Sequence, residues 1–207
     1  MHYSDNPRFD IFPFMDFTEI TSVVEFGCAD GATLLEIRNK YSWIAVYGFD
    51  YQEASIIAAK SRGLDAEVFD INDMHKQASA FVVVKSADVI LLLDILEHIN
   101  MPEYFVEKLR EHAKDGALMI VSLPNVRNWR TFAQLFSNDW RYEDTGIFDK
   151  THVRFYAKKS ALRLAEHFGK EVIFDYRYSS VRWKAFLQRL APSLFCGQMY
   201  CLVRRGK

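Results

Sequence analysis

The chain has 207 residues, a formal net charge of −1 and a hydrophobic fraction of 50%, which is typical of one domain whose core needs no disulfide or metal to fold. This composition excludes a disordered or fibrous protein, and the lack of a concentrated basic stripe argues against nucleic-acid binding. The longest uncharged apolar stretch near the middle, Val89–Leu93, is too short to span a bilayer. The first residues do not have the order of a secretory signal, so we expect a cytoplasmic protein without an integral membrane segment.

The first part of the chain alternates between short β-branched runs and helical patterns. These patterns predict five strands, at residues 20–26, 43–49, 66–69, 88–93 and 117–122. They also predict helices at residues 32–40, 52–62 and 102–113. Strands that alternate with helices indicate a parallel sheet with right-handed crossovers. The fourth strand is apolar almost throughout, which is typical of a central strand covered on both faces.

The alternation stops after Pro124. Residues 125–156 are rich in aromatic side chains and fit no single element, which in a compact domain is typical of a functional or partly helical segment. Further patterns then predict a helix at 157–168, a strand at 171–177, an amphipathic helix at 181–190 and a last strand at 198–204. We expect the amphipathic helix to dock on the sheet, although its basic and apolar residues would also suit a membrane surface.

Glycines and carboxylates follow the predicted strands, at the edge where open parallel sheets bind ligands. The first strand leads into the turn at 27–31, Gly-Cys-Ala-Asp-Gly, which allows a tight bend and exposes the N–H groups of the next helix. Asp50, Asp70 and Asp94 end the next three strands. One such carboxylate is commonly a helix cap, but three beside a glycine turn indicate a bound nucleoside.

The same residues discriminate among nucleoside ligands. The turn lacks the third glycine of a GxGxxG dinucleotide site and the Gly-Lys-Ser/Thr ending of a phosphate-binding loop. Glu25 and Asp94 would repel a pyrophosphate, whereas carboxylates attract a ligand that carries a sulfonium and an α-amino group. The sequence therefore points to S-adenosylmethionine.

Four segments carry a resemblance to a known family, at residues 25–31, 48–50, 69–71 and 94–99. In order and spacing they resemble the motifs of class I S-adenosylmethionine-dependent methyltransferases. Three more segments are similar to a subgroup associated with glycosyltransferases and O-antigen or polysaccharide biosynthesis, at residues 3–8, 122–129 and 146–156. The resemblance implies a three-layer, Rossmann-like α/β fold with a mostly parallel seven-stranded sheet and an antiparallel last strand. It also implies a single domain over 1–207, with 125–156 as an acceptor-side insertion.

The resemblance also assigns roles to individual residues. It places the methionine part of the cofactor at the glycine turn and its amino group near Glu25. Asp50 is expected to accept hydrogen bonds from the ribose hydroxyls, Asp70 and Ile71 to bound the adenine, and Asp94 to lie by the sulfonium. The complete set of expected cofactor-binding residues is Glu25, Gly27, Cys28, Ala29, Gly31, Asp50, Asp70, Ile71 and Asp94. Ala29 departs from the family pattern, which usually has glycine there. Cys28 is interpreted as a small packing residue, since no partner base is evident.

The acceptor is expected to be a small-molecule or carrier-linked sugar hydroxyl, and this expectation rests on the resemblance alone. Asn125, Arg127 and Arg154 are the expected acceptor-binding residues. Residues 1–100 hold seven basic and sixteen acidic side chains, whereas residues 101–207 hold nineteen and eleven. This imbalance favours an anionic acceptor, such as a nucleotide-sugar or phosphate-linked glycan, unless it is only uneven surface decoration.

Two histidines are candidates for a general base, which would assist transfer to a hydroxyl acceptor. They are His98 and His152, for which packing or loop structure is the competing interpretation. No carboxylate and histidine cluster has metal-ligand spacing, and Cys28, Cys196 and Cys201 form neither a disulfide framework nor a CxxC pair. We therefore expect no metal. A catalytically silent domain that binds S-adenosylmethionine and a nicotinamide-dependent oxidoreductase are the alternative functions, and the sequence leaves the oligomeric state open.

Overall fold

The computed structural model describes residues 6–76 and 79–206. Within these ranges the strands are β1 Ser22–Phe26, β2 Ala45–Asp50, β3 Asp65–Val68, β4 Val89–Leu93, β5 Leu118–Pro124, β6 Val172–Tyr176 and β7 Gln198–Arg204. The α-helices are α1 Ala32–Lys40, α2 Glu53–Ser61, α3 Ser79–Val84, α4 Pro102–His112, α5 Trp129–Phe136, α6 Lys158–Glu166, α7 Arg182–Leu190 and α8 Pro192–Phe195. Short 3-10 helices lie at Phe9–Phe14, Ile71–Lys76 and Leu96–His98.

The strands form one sheet in the order β3-β2-β1-β4-β5-β7-β6. The pairs among β1 to β5 are all parallel, whereas β7 runs antiparallel to both β5 and β6. This arrangement confirms the predicted fold, a mostly parallel seven-stranded sheet with an antiparallel last strand. Because β1 to β4 end at the same edge, the residues that follow them meet there.

Hydrophobic side chains cover both faces of the sheet. Strand β4 shows this most clearly, because Ile90 and Leu92 belong to the core on one face, and Leu91 belongs to the core on the other. All five residues of β4 are buried, as expected for a central strand. On one face, Phe26 stacks on Phe49 with ring centroids 4.9 Å apart, which places a rigid aromatic layer directly beneath the ends of β1 and β2.

The segment 125–156 is partly helical, as predicted, whereas the amphipathic helix that follows it differs from the prediction. Within 125–156, α5 begins after Asn128, whose side chain accepts a hydrogen bond from the backbone N–H of Arg130 at 3.1 Å. The predicted amphipathic helix forms as α7, but it packs against α8 instead of docking on the sheet. Its Trp183 and Phe186 are each 63% exposed. No helix in the described ranges combines the length and the apolar character that crossing a membrane requires.

Candidate active site

The turn after β1 has a backbone conformation that glycine adopts more readily than other residues. The N–H groups of Gly27 and Cys28 both donate to the carbonyl of Phe49, at 2.7 and 3.0 Å, which ties the turn to the end of β2. Gly27 and Gly31 have φ angles of +76° and +80°, in the left-handed region that L side chains rarely adopt. A Cβ at Gly31 would also overlap the side chain of Leu64. Both glycines are therefore needed for the shape of the turn.

Ala29 adopts the same unfavourable region. Its φ angle is +48°, and a left-handed conformation costs a non-glycine residue about 1–2 kcal/mol. A hydrogen bond compensates in part, because the Ala29 N–H donates to Asp50 Oδ2 at 3.0 Å. Ala29 therefore occupies this position with a left-handed backbone that glycine would adopt without that cost.

A cavity of about 370 Å³ lies at the ends of β1 to β4. Among its lining residues are five that the sequence assigned to the cofactor: Gly27, Asp50, Asp70, Ile71 and Asp94. Both carboxylate oxygens of Asp50 accept backbone hydrogen bonds, Oδ2 from Ala29 and Oδ1 from Gln52 at 2.9 Å. Burial raises the pKa of Asp50, and these N–H groups oppose that shift. The structure thus brings the three predicted strand-end carboxylates to one cavity.

Glu25 is not among the residues that line this cavity, although its neighbours Phe26 and Gly27 are. Its side chain is 4% exposed, and its Oε2 has no hydrogen-bond partner among the described residues. Burial raises the pKa of Glu25 to about 8, with Asp50 adding to the shift and the nearby Arg8 opposing it. A buried carboxyl group with an unused oxygen beside a glycine turn fits a ligand that brings a positive charge.

Cys28 packs against β2. A Cβ at Gly48 would lie 2.6 Å from Cys28 Sγ, so the absent side chain at Gly48 makes room for the thiol. Burial raises the pKa of the Cys28 thiol, and the charges of Glu25 and Asp50 raise it further. Since the thiolate is the nucleophilic form, this environment favours the packing interpretation.

A second, larger cavity of about 1030 Å³ adjoins the first, and Asp94 and His98 line both. The side chain of Asp94 is held on several sides. Arg8 Nη1 lies 2.5 Å from its Oδ2, Ser122 Oγ donates to its Oδ1 at 2.8 Å, and Gln198 Nε2 also contacts Oδ1. Sequence reasoning did not single out Arg8 or Gln198. The similarity of residues 3–8 to the subgroup was the one available signal for Arg8.

The two candidate bases lie side by side. The ring centroids of His98 and His152 are 4.7 Å apart, and His152 also lines the larger cavity. Burial and the neighbouring His98 lower the pKa of His152. Glu97, which sequence reasoning missed although it stands in the 94–99 motif, lies with its Oε1 3.9 Å from His152 Nε2. The fold therefore joins residues that lie far apart in the sequence.

The three expected acceptor-binding residues do not line either cavity. The Asn125 side chain is buried and donates to the carbonyls of Ser193 and Cys196, at 2.9 and 2.8 Å. Arg127 Nη1 approaches Ser193 Oγ at 3.3 Å, and Arg154 Nη2 donates to the carbonyl of Asn100 at 2.5 Å. In the described structure these side chains hold loops around the site. Arg130 and Arg177 are the arginines that line the larger cavity.

Comparison with known proteins agrees with this geometry. A family model described as a methyltransferase domain matches residues 10–173. The chain belongs to this family. It therefore carries an S-adenosylmethionine-dependent methyltransferase domain, which confirms the predicted class I resemblance and the cofactor at the level of the domain. The unpartnered carboxyl of Glu25 and the glycine-lined cavity fit that cofactor.

Individual relatives are more distant. Trans-aconitate 2-methyltransferase of Mycolicibacterium gilvum is 30% identical over 88 residues, which cover 41% of this chain but only 34% of that protein. Among solved structures, a methyltransferase from Mesorhizobium loti matches the methyltransferase domain with a TM-score of 0.68 at 13% identity, covering 95% of this chain and 96% of that one. One from Archaeoglobus fulgidus matches with a TM-score of 0.67 at 15% identity, covering 94% and 90%. At these identities the structures support the fold.

Proposed function

We propose that the protein transfers a methyl group from S-adenosylmethionine to a hydroxyl group of a sugar or carrier-linked sugar in glycan biosynthesis. The observation that carries the methyl transfer is the pair of adjoining cavities, one at the carboxylate-rich strand ends and one beyond Asp94 and His98. Methyl transfer requires the donor and the acceptor to lie next to each other, and two cavities that share lining residues provide this arrangement. The sugar hydroxyl rests on the sequence resemblance to enzymes of polysaccharide biosynthesis.

The residues of the smaller cavity would bind the donor. Each Asp50 oxygen has a second lone pair beyond its backbone hydrogen bond, which suits the two ribose hydroxyls. Asp70 and Ile71 would bound the adenine, and Glu25 would pair with the amino group. The turn that contains Gly27, Cys28, Ala29 and Gly31 would face the methionine part. The bound cofactor supplies an electrophilic methyl group, so the protein's task is to orient it and the acceptor.

The larger cavity would bind the acceptor. Residues of the segment 125–156 form much of its wall: Arg130, Asp144, Thr145, Gly146, Ile147, Asp149 and His152. This supports the proposal that 125–156 is an acceptor-side insertion in a single domain. Its volume of about 1030 Å³ accommodates a sugar with an attached group, and polar side chains among its lining residues, such as Asp144, Thr145 and Asp149, suit a hydroxylated ligand. The trans-aconitate enzyme is named for a small molecule, which supports a small acceptor.

A negatively charged group on the acceptor is part of the proposal. Arg130 and Arg177 line the larger cavity. Arg130 pairs with Glu143 at 2.5 Å, and Arg177 Nε lies 3.7 Å from Asp10. An acceptor phosphate would compete with these carboxylates for the two guanidinium groups. Direct acceptor contacts of Asn125, Arg127 and Arg154 stay predictions, as does a general-base role of His98 or His152.

Calorimetry with S-adenosylhomocysteine tests the donor site. Asp50→Ala removes hydrogen bonds to a charged group, each worth roughly 1.5–3 kcal/mol, and is expected to weaken binding at least about tenfold. Asp65→Ala is the matched control, because Asp65 is an exposed aspartate at the opposite end of β3. Equal affinity of the wild type and Asp50→Ala would contradict the ribose contact.

Transfer of a labelled methyl group tests the acceptor. The wild type is incubated with labelled S-adenosylmethionine and a panel of nucleotide-sugars, phosphate-linked glycans and neutral sugars. Label in a sugar ether is the expected product, with phosphorylated acceptors preferred. Binding of S-adenosylhomocysteine without label in any acceptor would favour the silent binding domain, and label in amines or carboxylic acids alone would refute the hydroxyl acceptor.

A further inference from the structure

Three side chains at the junction of the two cavities have metal-ligating groups. They are Glu97, His98 and His152, and one ligand atom from each lies within 4.8 Å of the others. All three line the larger cavity, and His98 also lines the smaller one. The cluster could not be predicted from spacing along the chain, because His152 belongs to the segment 125–156, whereas Glu97 and His98 follow β4.

Glu97 requires an explanation of its own. The residue is 1% exposed, and neither of its carboxylate oxygens has a hydrogen-bond partner among the described residues. An unsatisfied buried acid is costly, and the protein nevertheless holds it facing an imidazole nitrogen. The 3.9 Å between Glu97 Oε1 and His152 Nε2 is too long for a hydrogen bond. At this spacing, a small movement of the two side chains brings both atoms within reach of one ion.

The surrounding hydrogen bonds hold the two imidazoles in place. His152 Nδ1 faces the carbonyl of Ile147 at 3.4 Å, which directs Nε2 towards Glu97. His98 Nδ1 lies 3.2 Å from the carbonyl of Thr151 and 3.0 Å from its hydroxyl. Metal-bound histidines characteristically use one ring nitrogen for such a partner and the other for the ion.

The backbone fixes the distance between the two halves of the cluster. The carbonyl of Glu97 accepts the N–H groups of Val153 and Arg154, at 2.9 and 3.0 Å. Asp149 accepts from the Thr151 N–H and hydroxyl, at 2.8 and 2.6 Å. These bonds keep the turn that carries His152 against the turn that carries Glu97, so the cluster is assembled by the fold rather than by chance proximity of mobile side chains.

We propose that Glu97, His98 and His152 form a binding site for one divalent transition-metal ion, and with the ion bound neither imidazole acts as the general base. Two imidazole nitrogens and one carboxylate oxygen suit Zn²⁺, Co²⁺, Mn²⁺ or Fe²⁺, whereas Mg²⁺ and Ca²⁺ prefer oxygen ligands. Tetrahedral ligands about 2.1 Å from an ion lie about 3.4 Å apart. The side chains therefore need to close by about 0.5–1.4 Å from their present separations.

Three protein ligands leave coordination positions open. Because the cluster lines the larger cavity, these positions face the space assigned to the acceptor. An oxygen atom of water or of an acceptor would complete the coordination, and a coordinated hydroxyl loses its proton to solvent more readily than a free one. The metal site stands on the cluster itself and does not depend on the identity of the acceptor.

Metal binding to chelator-treated, untagged protein tests the site. Titration with Co²⁺, followed by calorimetry and by visible d–d absorption, is expected to show one ion per chain with tetrahedral or five-coordinate bands. His152→Ala and Glu97→Gln should each weaken the affinity at least about tenfold. His167→Ala is the matched control, because His167 also contacts a carboxylate, Glu107 at 2.7 Å, on the surface away from the cluster; its affinity should equal that of the wild type.

Thermal unfolding provides a readout that is independent of activity. Co²⁺ or Zn²⁺ should raise the melting temperature of the wild type and of His167→Ala, but not of His152→Ala, whose fold is checked by its binding of S-adenosylhomocysteine. Two results would overturn the proposal. They are the absence of stoichiometric Co²⁺ binding by the wild type and equal affinity in His152→Ala. Either result leaves the proposed methyl transfer intact, because the donor site is measured separately.

Discussion

Binding of the donor is expected to release a proton from Glu25. In the free protein this carboxyl is buried, and its pKa is raised to about 8. A ligand amino group carries a positive charge at neutral pH, so a Glu25 partner must become the carboxylate or share one proton with the amine. In either case, one proton leaves for solvent when a protonated Glu25 meets an ammonium group.

The size of the effect follows from the pKa. A group with a pKa of about 8 is protonated in about 0.9 of the molecules at pH 7, so binding should release about 0.9 proton per chain. The affinity should also depend on pH, because only the ionised form pairs with the amine. It should rise about fifty-fold from pH 6 to pH 8, as the ionised fraction of Glu25 grows from about 0.01 to about 0.5.

Calorimetry with S-adenosylhomocysteine measures both quantities. The observed binding enthalpy is compared among buffers of different ionisation enthalpy at pH 7, and its slope gives the number of protons released. Chelator-treated protein is used so that no metal contributes protons. The pH dependence of the dissociation constant is measured with the same samples.

Two variants make the prediction specific. Glu25→Gln keeps the shape of the side chain but cannot titrate, so proton release should fall to near zero and the pH dependence should flatten. Glu53→Gln changes an exposed glutamate at the start of α2 and should behave as the wild type. A wild type whose binding enthalpy is the same in every buffer would refute the reasoning, as would undiminished proton release in Glu25→Gln.

Three further predictions concern stability. Gly31→Ala should lower the unfolding free energy by roughly 2–4 kcal/mol, because it adds left-handed strain and an overlap with Leu64. Ala29→Gly relieves strain at the same turn and should raise the unfolding free energy by roughly 0–1 kcal/mol. Denaturant titrations in which the two variants changed the unfolding free energy alike would contradict this. Lys114 and the backbone N–H groups of Thr21 and Ser22 hold the pKa of Asp88 well below its usual range, so the charged Asp88 stabilises the fold above its ordinary pKa. Asp88→Asn should lower the unfolding free energy by about 2 kcal/mol at pH 7. If the difference from the wild type did not shrink as the pH falls below about 4, the charge of Asp88 would not be its cause. Asn125→Ala removes two buried donors and should speed hydrogen exchange in α7 and α8, while unchanged exchange would show that these bonds do not hold the segment.

Much of the sheet could be predicted because its signals are local. The helix at 32–40 and the last strand at 198–204 form with the predicted bounds, since each lies between clear breaks in the hydrophobic pattern. Helix α3 was missed. Its sequence Ser-Ala-Phe-Val-Val-Val is rich in β-branched residues that favour strands, yet the crossover from β3 to β4 requires a helix, and Ala80 and Val84 supply the i, i+4 pair that it buries.

The contacts in the candidate site also include some that the sequence could predict and some that it could not. Asp50, Asp70 and Asp94 could be placed together from the sequence, because parallel strands end at one edge of a sheet. The contact of Arg8 with Asp94 and that of Glu97 with His152 could not. Each joins segments whose meeting depends on how the loops fold back, and no periodicity or spacing along the chain encodes that.

The contacts of Asp94 determine how much of the chain a fragment needs in order to keep the site intact. Arg8 reaches this residue from one terminus, and Gln198 reaches it from the strand nearest the other. A fragment trimmed at either side would retain the central strands yet leave Asp94 without one of its supports. The minimal fragment that keeps Asp94 properly oriented therefore extends from Arg8 to beyond Gln198, and truncation should impair the cleft before it unfolds the sheet.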